Sequence, residues 1–138
     1  MFQPNARKAN PRGRKRVRRG NREDAQQLRE ELLAAALRLF ADGGLQAVSM
    51  RAVAAAVGVS AMTPYRYFAQ KTDLLSGLWE FVLAFVCQWM RSAVASQRTA
   101  RAQLRALLDA FLHYYETNPD HYRLVYMTEP RKSRLAPG

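Results

Sequence analysis

Between Ser60 and Phe68 the sequence SAMTPYRYF brings hydroxyls, a guanidinium and aromatic rings together within nine residues. These groups read and hold nucleic acid. Arg66 can fork onto guanine O6 and N7, a bidentate contact worth about 1–3 kcal/mol of discrimination, or it can hold a phosphate. Thr63 offers a methyl to thymine and a hydroxyl to a base or the backbone, and Ala61 and Met62 are apolar partners for thymine methyls. Ser60 adds a hydroxyl for a base or a phosphate, while Tyr65 suits a phosphate. No nucleophile–base pair, metal cluster or phosphate loop competes with this set, so no enzyme, no catalytic residue and no cofactor are expected. His113 and His121 have no cysteine or paired acid at metal-ligand spacing, so no metal site is expected either. Cys87 stands alone in an apolar run, which rules out an intramolecular disulfide and fits a reducing, cytoplasmic setting.

The elements that must position these groups are legible as helices. From Glu23 to Asp42 the residues Leu28, Leu32, Ala35, Ala36, Leu39 and Phe40 recur at helical spacing, and Gly43-Gly44 ends the run by offering a left-handed closing conformation. Ser49 reads as the N-cap of a second helix through Val57, with Met50, Val53 and Val57 on one face. Gly58 breaks it, Val59 plugs the turn, and Ser60 caps a third helix through Phe68. Two short helices around a tight turn make a helix-turn-helix, whose second helix enters the major groove. Pro64 leaves two starts open for that helix. If Ser60 is the cap, Pro64 removes one helical bond; if Thr63 is the cap, Pro64 takes the favoured first position and Ala61 and Met62 fall in the turn.

The run from Gly43 to Leu75, GGLQAVSMRAVAAAVGVSAMTPYRYFAQKTDLL, resembles the TetR family of bacterial transcriptional regulators. Gly44, Ser49, Val53-Ala54, Gly58-Val59-Ser60, Tyr67-Phe68, Lys71 and Leu74 follow the family pattern in order, and with the first helix the likeness covers about 50 residues. Pro64 departs from it, standing where the family more often has an aliphatic residue. The resemblance implies an all-α fold, a TetR-like three-helix headpiece followed by a shortened helical C-terminal region. It implies double-stranded DNA as partner, with a small-molecule effector and a second copy of the chain as further partners, and repression as the commoner outcome. It also gives Tyr67 to DNA and Phe68 to packing. Lys71 and Thr72 at the start of the next helix, and Ser49 and Arg51 at the start of the second, suit phosphates.

Charge agrees with this partner. The net charge is +11, yet residues 1 to 22 hold nine basic side chains and no acid, leaving 13 basic and 11 acidic residues in the rest. The excess is an arm, with Pro4, Pro11, Gly13 and Gly20 and little apolar content, for which disorder is expected. Arg14, Arg16, Arg18 and Arg19 are its candidates for minor-groove or phosphate contact. Acidic and amide residues follow Arg22, where a secretory signal would have an apolar stretch.

The implied organisation is an arm over 1–22, a DNA-binding domain over 23–71, a helical C-terminal region over 72–130 that corresponds to a truncated ligand-binding and dimerisation part, and a tail over 131–138. A long helix from Thr72 or Asp73 carries Leu74, Leu75, Leu78, Phe81, Val82, Phe85, Val86, Trp89 and Met90. Seventeen residues with Glu80 inside fit core packing better than a membrane span. A helix from Ala100 to Glu116 has Leu104, Leu107, Leu108, Phe111, Leu112 and Tyr115 on one side, and a short helix from Asp120 to about Thr128 follows Asn118-Pro119. Trp89, Phe111, Tyr115, Tyr122 and Tyr126 are the candidates for a ligand pocket, against the alternative of ordinary aromatic core. The rival functional class is a basic interaction protein that holds an anionic surface or a partner through its apolar helices. A DNA-bound regulator, in contrast, belongs with the nucleoid.

Overall fold

Helix α1 (Pro11–Ala47) places Leu32, Leu33, Ala35, Ala36 and Phe40 against the core. The structure, a computed structural model, describes residues 11–128, with side chains from Asn21. Of the expected arm, residues 1–10 lie outside the described residues. From Pro11 onward the backbone is helical, where composition alone favours disorder. Arginine and lysine are good helix formers, and Pro11 stands at the first helical position, where its missing N–H removes no bond. Gly44 interrupts α1 near its end, with φ 68° and ψ −165°.

Helix α2 (Met50–Val57) begins as expected at Ser49, whose side chain accepts from the Ala52 amide at 3.1 Å. It ends at Gly58, whose φ of 80° lies in the left-handed region and whose N–H closes onto Ala54 and Ala55. A four-residue 3₁₀ turn, Thr63–Arg66, follows. Helix α3 (Lys71–Ala95) opens with the Asp73 carboxylate accepting from the Gln70 amide at 3.2 Å. The Thr99 hydroxyl caps helix α4 (Ala100–Thr117) by accepting from the Ala102 amide, and Asn118 closes it by donating to the Tyr114 carbonyl. The expected last helix divides into α5 (Pro119–Tyr122) and a π turn, Arg123–Met127. There is no strand among the described residues.

One core runs through all of this. Leu32, Leu33, Phe40, Val48, Met50, Val53 and Phe68 from the headpiece join Leu74, Leu78, Val82 and Val86 of α3, then Tyr114, Tyr115, Leu124 and Val125. The sequence division at 71/72 therefore falls in the first turn of a helix that belongs to both parts. Gly77 permits their close approach: a Cβ there would lie 3.0 Å from the Phe68 ring and 3.4 Å from Leu33. By length and composition α3 could cross a membrane, but here Leu74, Leu78, Val82 and Val86 are its buried face, while Glu80 is exposed. On α4 the periodic leucines take an unexpected side. Ala106, Ala110 and Tyr114 face inward, and Leu104, Leu108 and Leu112 face out.

Candidate nucleic-acid interface

Two buried side chains, Pro64 and Phe68, pin the segment 60–68 to the headpiece, and the groups around them point outward. Ser60, Ala61, Met62, Tyr65 and Arg66 are exposed, while Thr63 and Tyr67 are half-buried. Met62 is 69% exposed and Tyr65 49%. Large side chains at that exposure, on a segment fixed from behind, form a contact surface. The Phe68 ring is held further by the Arg29 guanidinium, 5.4 Å from its centroid.

The local conformation corrects the expected third helix. Ser60–Phe68 is not a continuous α-helix: Ser60 to Met62 form a turn, and the helical hydrogen bonding is confined to a 3₁₀ segment, Thr63–Arg66. Pro64 is the cause. In an α-helix capped by Ser60, the carbonyl of Ser60 would take the N–H of residue 64, which proline lacks. It takes the Thr63 N–H instead, at 2.9 Å. The Ser60 hydroxyl turns to the Met62 amide at 3.4 Å, Met62 precedes the first helical residue, and Pro64 sits within the first two positions, where proline is tolerated. Ala61 and Met62 thus lie in the turn, as in the second of the two starts that Pro64 left open. The helical bond reappears where Phe68 N–H meets the Pro64 carbonyl at 2.9 Å.

The flanks lie at helix starts. Ser49 is half-buried and engaged as a cap, with Arg51 exposed beside it. Lys71 and Thr72 are exposed on the first turn of α3. The Lys71 ammonium donates to the Leu45 carbonyl at 3.0 Å, which leaves two of its three N–H groups for an outside acceptor. Gln70, exposed at the N-cap of α3, shares this surface and was not singled out by spacing. Its signal is its position just before a helix start. Arg14, Arg16, Arg18 and Arg19 fall on the first turns of α1, but their side chains lie outside the described residues.

Of the five pocket candidates, four converge. Phe111, Tyr115, Tyr122 and Tyr126 stack edge-on or tilted, with centroids 4.9–6.4 Å apart. Trp89 stands apart, its indole N–H donating to the Ala110 carbonyl at 3.1 Å and its ring facing His113 and Tyr114. The Tyr115 hydroxyl is buried with no hydrogen-bond partner. Burial pushes its pKa up, and the neighbouring Tyr126 phenol adds to this electrostatically without satisfying it geometrically. His121 Nδ1 and the Tyr114 hydroxyl are hydrogen-bonded at 2.8 Å, the ring accepting in the neutral tautomer that carries its proton on Nε2. Among the described residues no group of three or more His, Cys, Asp or Glu side chains is placed to hold a metal ion.

The geometry of residues 44–78 is that of a helix-turn-helix headpiece, and residues 32–78 match the family model of bacterial regulatory proteins of the tetR family. The chain carries a TetR-family N-terminal domain. It is 34% identical over 118 residues to the HTH-type transcriptional activator FasR of Mycolicibacterium smegmatis, covering 83% of this chain and 54% of FasR. It is 39% identical over 62 residues to the HTH-type transcriptional regulator AcrR of Shigella flexneri, covering 45% of this chain and 29% of AcrR. In three dimensions it is similar to a TetR family transcription regulator from Marinobacter aquaeolei, with a TM-score of 0.67 at 26% identity, over 75% of this chain and 54% of that one. The likeness therefore extends past the TetR-family domain into α3 and α4, while the chain spans about half the length of FasR. Pro64 and the 3₁₀ turn it enforces lie inside the matched segment.

Proposed function

We propose that this chain is a sequence-specific DNA-binding transcriptional regulator that sets residues 60–68 into the major groove of double-stranded DNA and acts at the nucleoid. The observation that carries the reading is the pinned surface: Pro64 and Phe68 buried, with Ser60, Ala61, Met62, Tyr65 and Arg66 exposed around them. Arg66 supplies the base-reading guanidinium, Thr63, Ala61 and Met62 the contacts to thymine, and Tyr65 and Tyr67 phosphate contacts. Ser49, Arg51, Lys71 and Thr72 hold the backbone on either side, and the basic segment before Glu23 adds phosphate or minor-groove contacts. FasR is named an activator, whereas repression is what the family resemblance implies; the same surface serves either outcome.

The test is fluorescence anisotropy at physiological salt with DNA from upstream of the chain's own gene and a scrambled duplex. Intact protein, protein lacking residues 1–22 and Arg66→Ala are compared. A preference for upstream DNA that survives loss of the arm and falls with Arg66→Ala, by about 1–3 kcal/mol, supports the reading. Equal binding to both duplexes that disappears with the arm overturns it in favour of a basic protein that holds any polyanion. The effector site of this reading belongs at the ring cluster of Phe111, Tyr115, Tyr122 and Tyr126, which is supported by the unpartnered Tyr115 hydroxyl. An aromatic ligand with one acceptor would satisfy that hydroxyl.

A further inference from the structure

Apart from Gly44, helix α1 is unbroken from Pro11 onward, so its register fixes which positions share a side. Arg29 gives that register a direction, because its guanidinium lies over the Phe68 ring, 5.4 Å from the centroid. The side of α1 at Arg29 is therefore the side on which the 60–68 segment is packed. At about 100° per residue, Arg22, Arg18 and Lys15 fall within about 20°, about 20° and about 40° of Arg29. At about 1.5 Å per residue they stand about 10 Å, about 16 Å and about 21 Å before it along the axis.

The acids of α1 around this row stand elsewhere. Glu23, Asp24, Glu30 and Glu31 are exposed and lie about 100° to about 160° from Arg29 by the same count. The helix is divided lengthwise, with a basic row on the side of the reading segment and carboxylates turned away from it. From Pro11 to Arg22 there is no acid, and Arg14 with Arg18, Lys15 with Arg19, and Arg18 with Arg22 are like charges four residues apart. Such pairs cost a helix stability, and an anion that neutralises them restores it. The first turn holds no acid either, so the positive end of the helix dipole adds to the same field. Arg22 is exposed, which leaves the row open where it leaves the headpiece.

We propose that the N-terminal extension of α1 is a helical rail for the phosphate backbone of double-stranded DNA, beside the groove that receives residues 60–68. Arg22, Arg18 and Lys15 take phosphates in succession. Arg12 and Arg16, about 100° and about 140° from Arg29, do not. The inference rests on the DNA-binding reading and adds a geometry to it: the segment works as a helix with one contacting side, not as a tethered charge. Phosphate contacts carry no sequence information, so the rail serves any duplex.

The test is fluorescence anisotropy of the 138-residue chain on the scrambled duplex across a salt series. Asn21 is uncharged, exposed, and stands between Arg18 and Arg22. Asn21→Pro breaks the helix there with every charge kept. It is expected to lower the log–log salt slope by about 1.8, two phosphates at about 0.9 each, as Lys15 and Arg18 leave the row. Asn21→Ala keeps both helix and slope. Lys15→Gln with Arg18→Gln lowers the slope by the same amount, whereas Arg12→Gln with Arg16→Gln, an equal loss of charge, leaves it nearly unchanged. Urea unfolding reports whether the headpiece is intact, and should Asn21→Pro disturb it, the two equal-charge pairs decide alone. Equal slopes for those pairs, an Asn21→Pro slope equal to that of Asn21→Ala, or a parent chain that binds no duplex overturns the proposal. A parent chain that binds upstream and scrambled DNA alike counts against sequence specificity only, because the slopes are read on the scrambled duplex.

Discussion

The Lys71 ammonium donates to the carbonyl oxygen of Leu45 at 3.0 Å, tying the first turn of α3 to the interrupted end of α1 across 26 residues of sequence. The bond spans the whole helix-turn-helix unit, whose two ends it joins. A cation here also completes the carbonyl end of α1, where the helix dipole is negative.

Replacing this cation separates two roles. Lys71→Met is expected to lower stability by about 0.5–1 kcal/mol, the scale of a cation at a helix C-terminus, as read from urea unfolding. If its remaining N–H groups hold a phosphate, the log–log salt dependence of DNA binding also falls by about 0.9. Unchanged stability would mean that the Leu45 carbonyl is satisfied by water in solution.

How much of this was legible depends on whether one residue or several decide a feature. Ser49 and Gly58 each impose a local requirement, an oxygen that accepts an orphan N–H and a backbone without Cβ, and both stand where their types place them. Pro64 was legible as a problem, because its missing N–H left two helix starts; the choice between them follows from the burial of its ring against the headpiece. The facing of α4 was not legible. Periodicity shows that Leu104, Leu108 and Leu112 share a side with Phe111, but not that α3 approaches the small alanine side instead. Trp89 was grouped with Tyr115 by residue type, yet Tyr114 lies beside both and the indole bonds to Ala110. Such placements are properties of two helices together.

Gly58→Ala isolates the cost of the turn. A Cβ at this position meets nothing within 4 Å, so the penalty is that of an L-residue at φ 80°, roughly 1–2 kcal/mol. Thermal or urea unfolding should show this loss, and Gly58→Asn a smaller one, because asparagine tolerates the left-handed region. Equal losses for the two variants would place the cost elsewhere than in the backbone.

Tyr115→Phe should raise stability. Its ring contacts to Phe111, Tyr114, Tyr122 and Tyr126 do not involve the hydroxyl, which is buried without a hydrogen-bond partner. Removing an unsatisfied buried polar group recovers about 1 kcal/mol or more, visible as a higher urea midpoint at unchanged slope. A lower midpoint would show that the hydroxyl is bonded in solution.

Acid should loosen the C-terminal part through His121. Burial lowers its pKa below the ordinary histidine value of 6.5, with the Asp120 carboxylate opposing in part, and its Nδ1 is hydrogen-bonded to the Tyr114 hydroxyl. The unfolded chain therefore takes up a proton on His121 at a higher pH than the folded chain does. The contribution of the neutral ring is fully present above the unfolded value and is lost as pH falls through 6.5 toward the lowered folded pKa, below which it levels off. Unfolding free energy measured between pH 7.5 and pH 5.5 should fall in the parent chain and stay flatter in His121→Asn, whatever the absolute stability of the variant. A slope equally steep in His121→Asn would assign the proton uptake to another group.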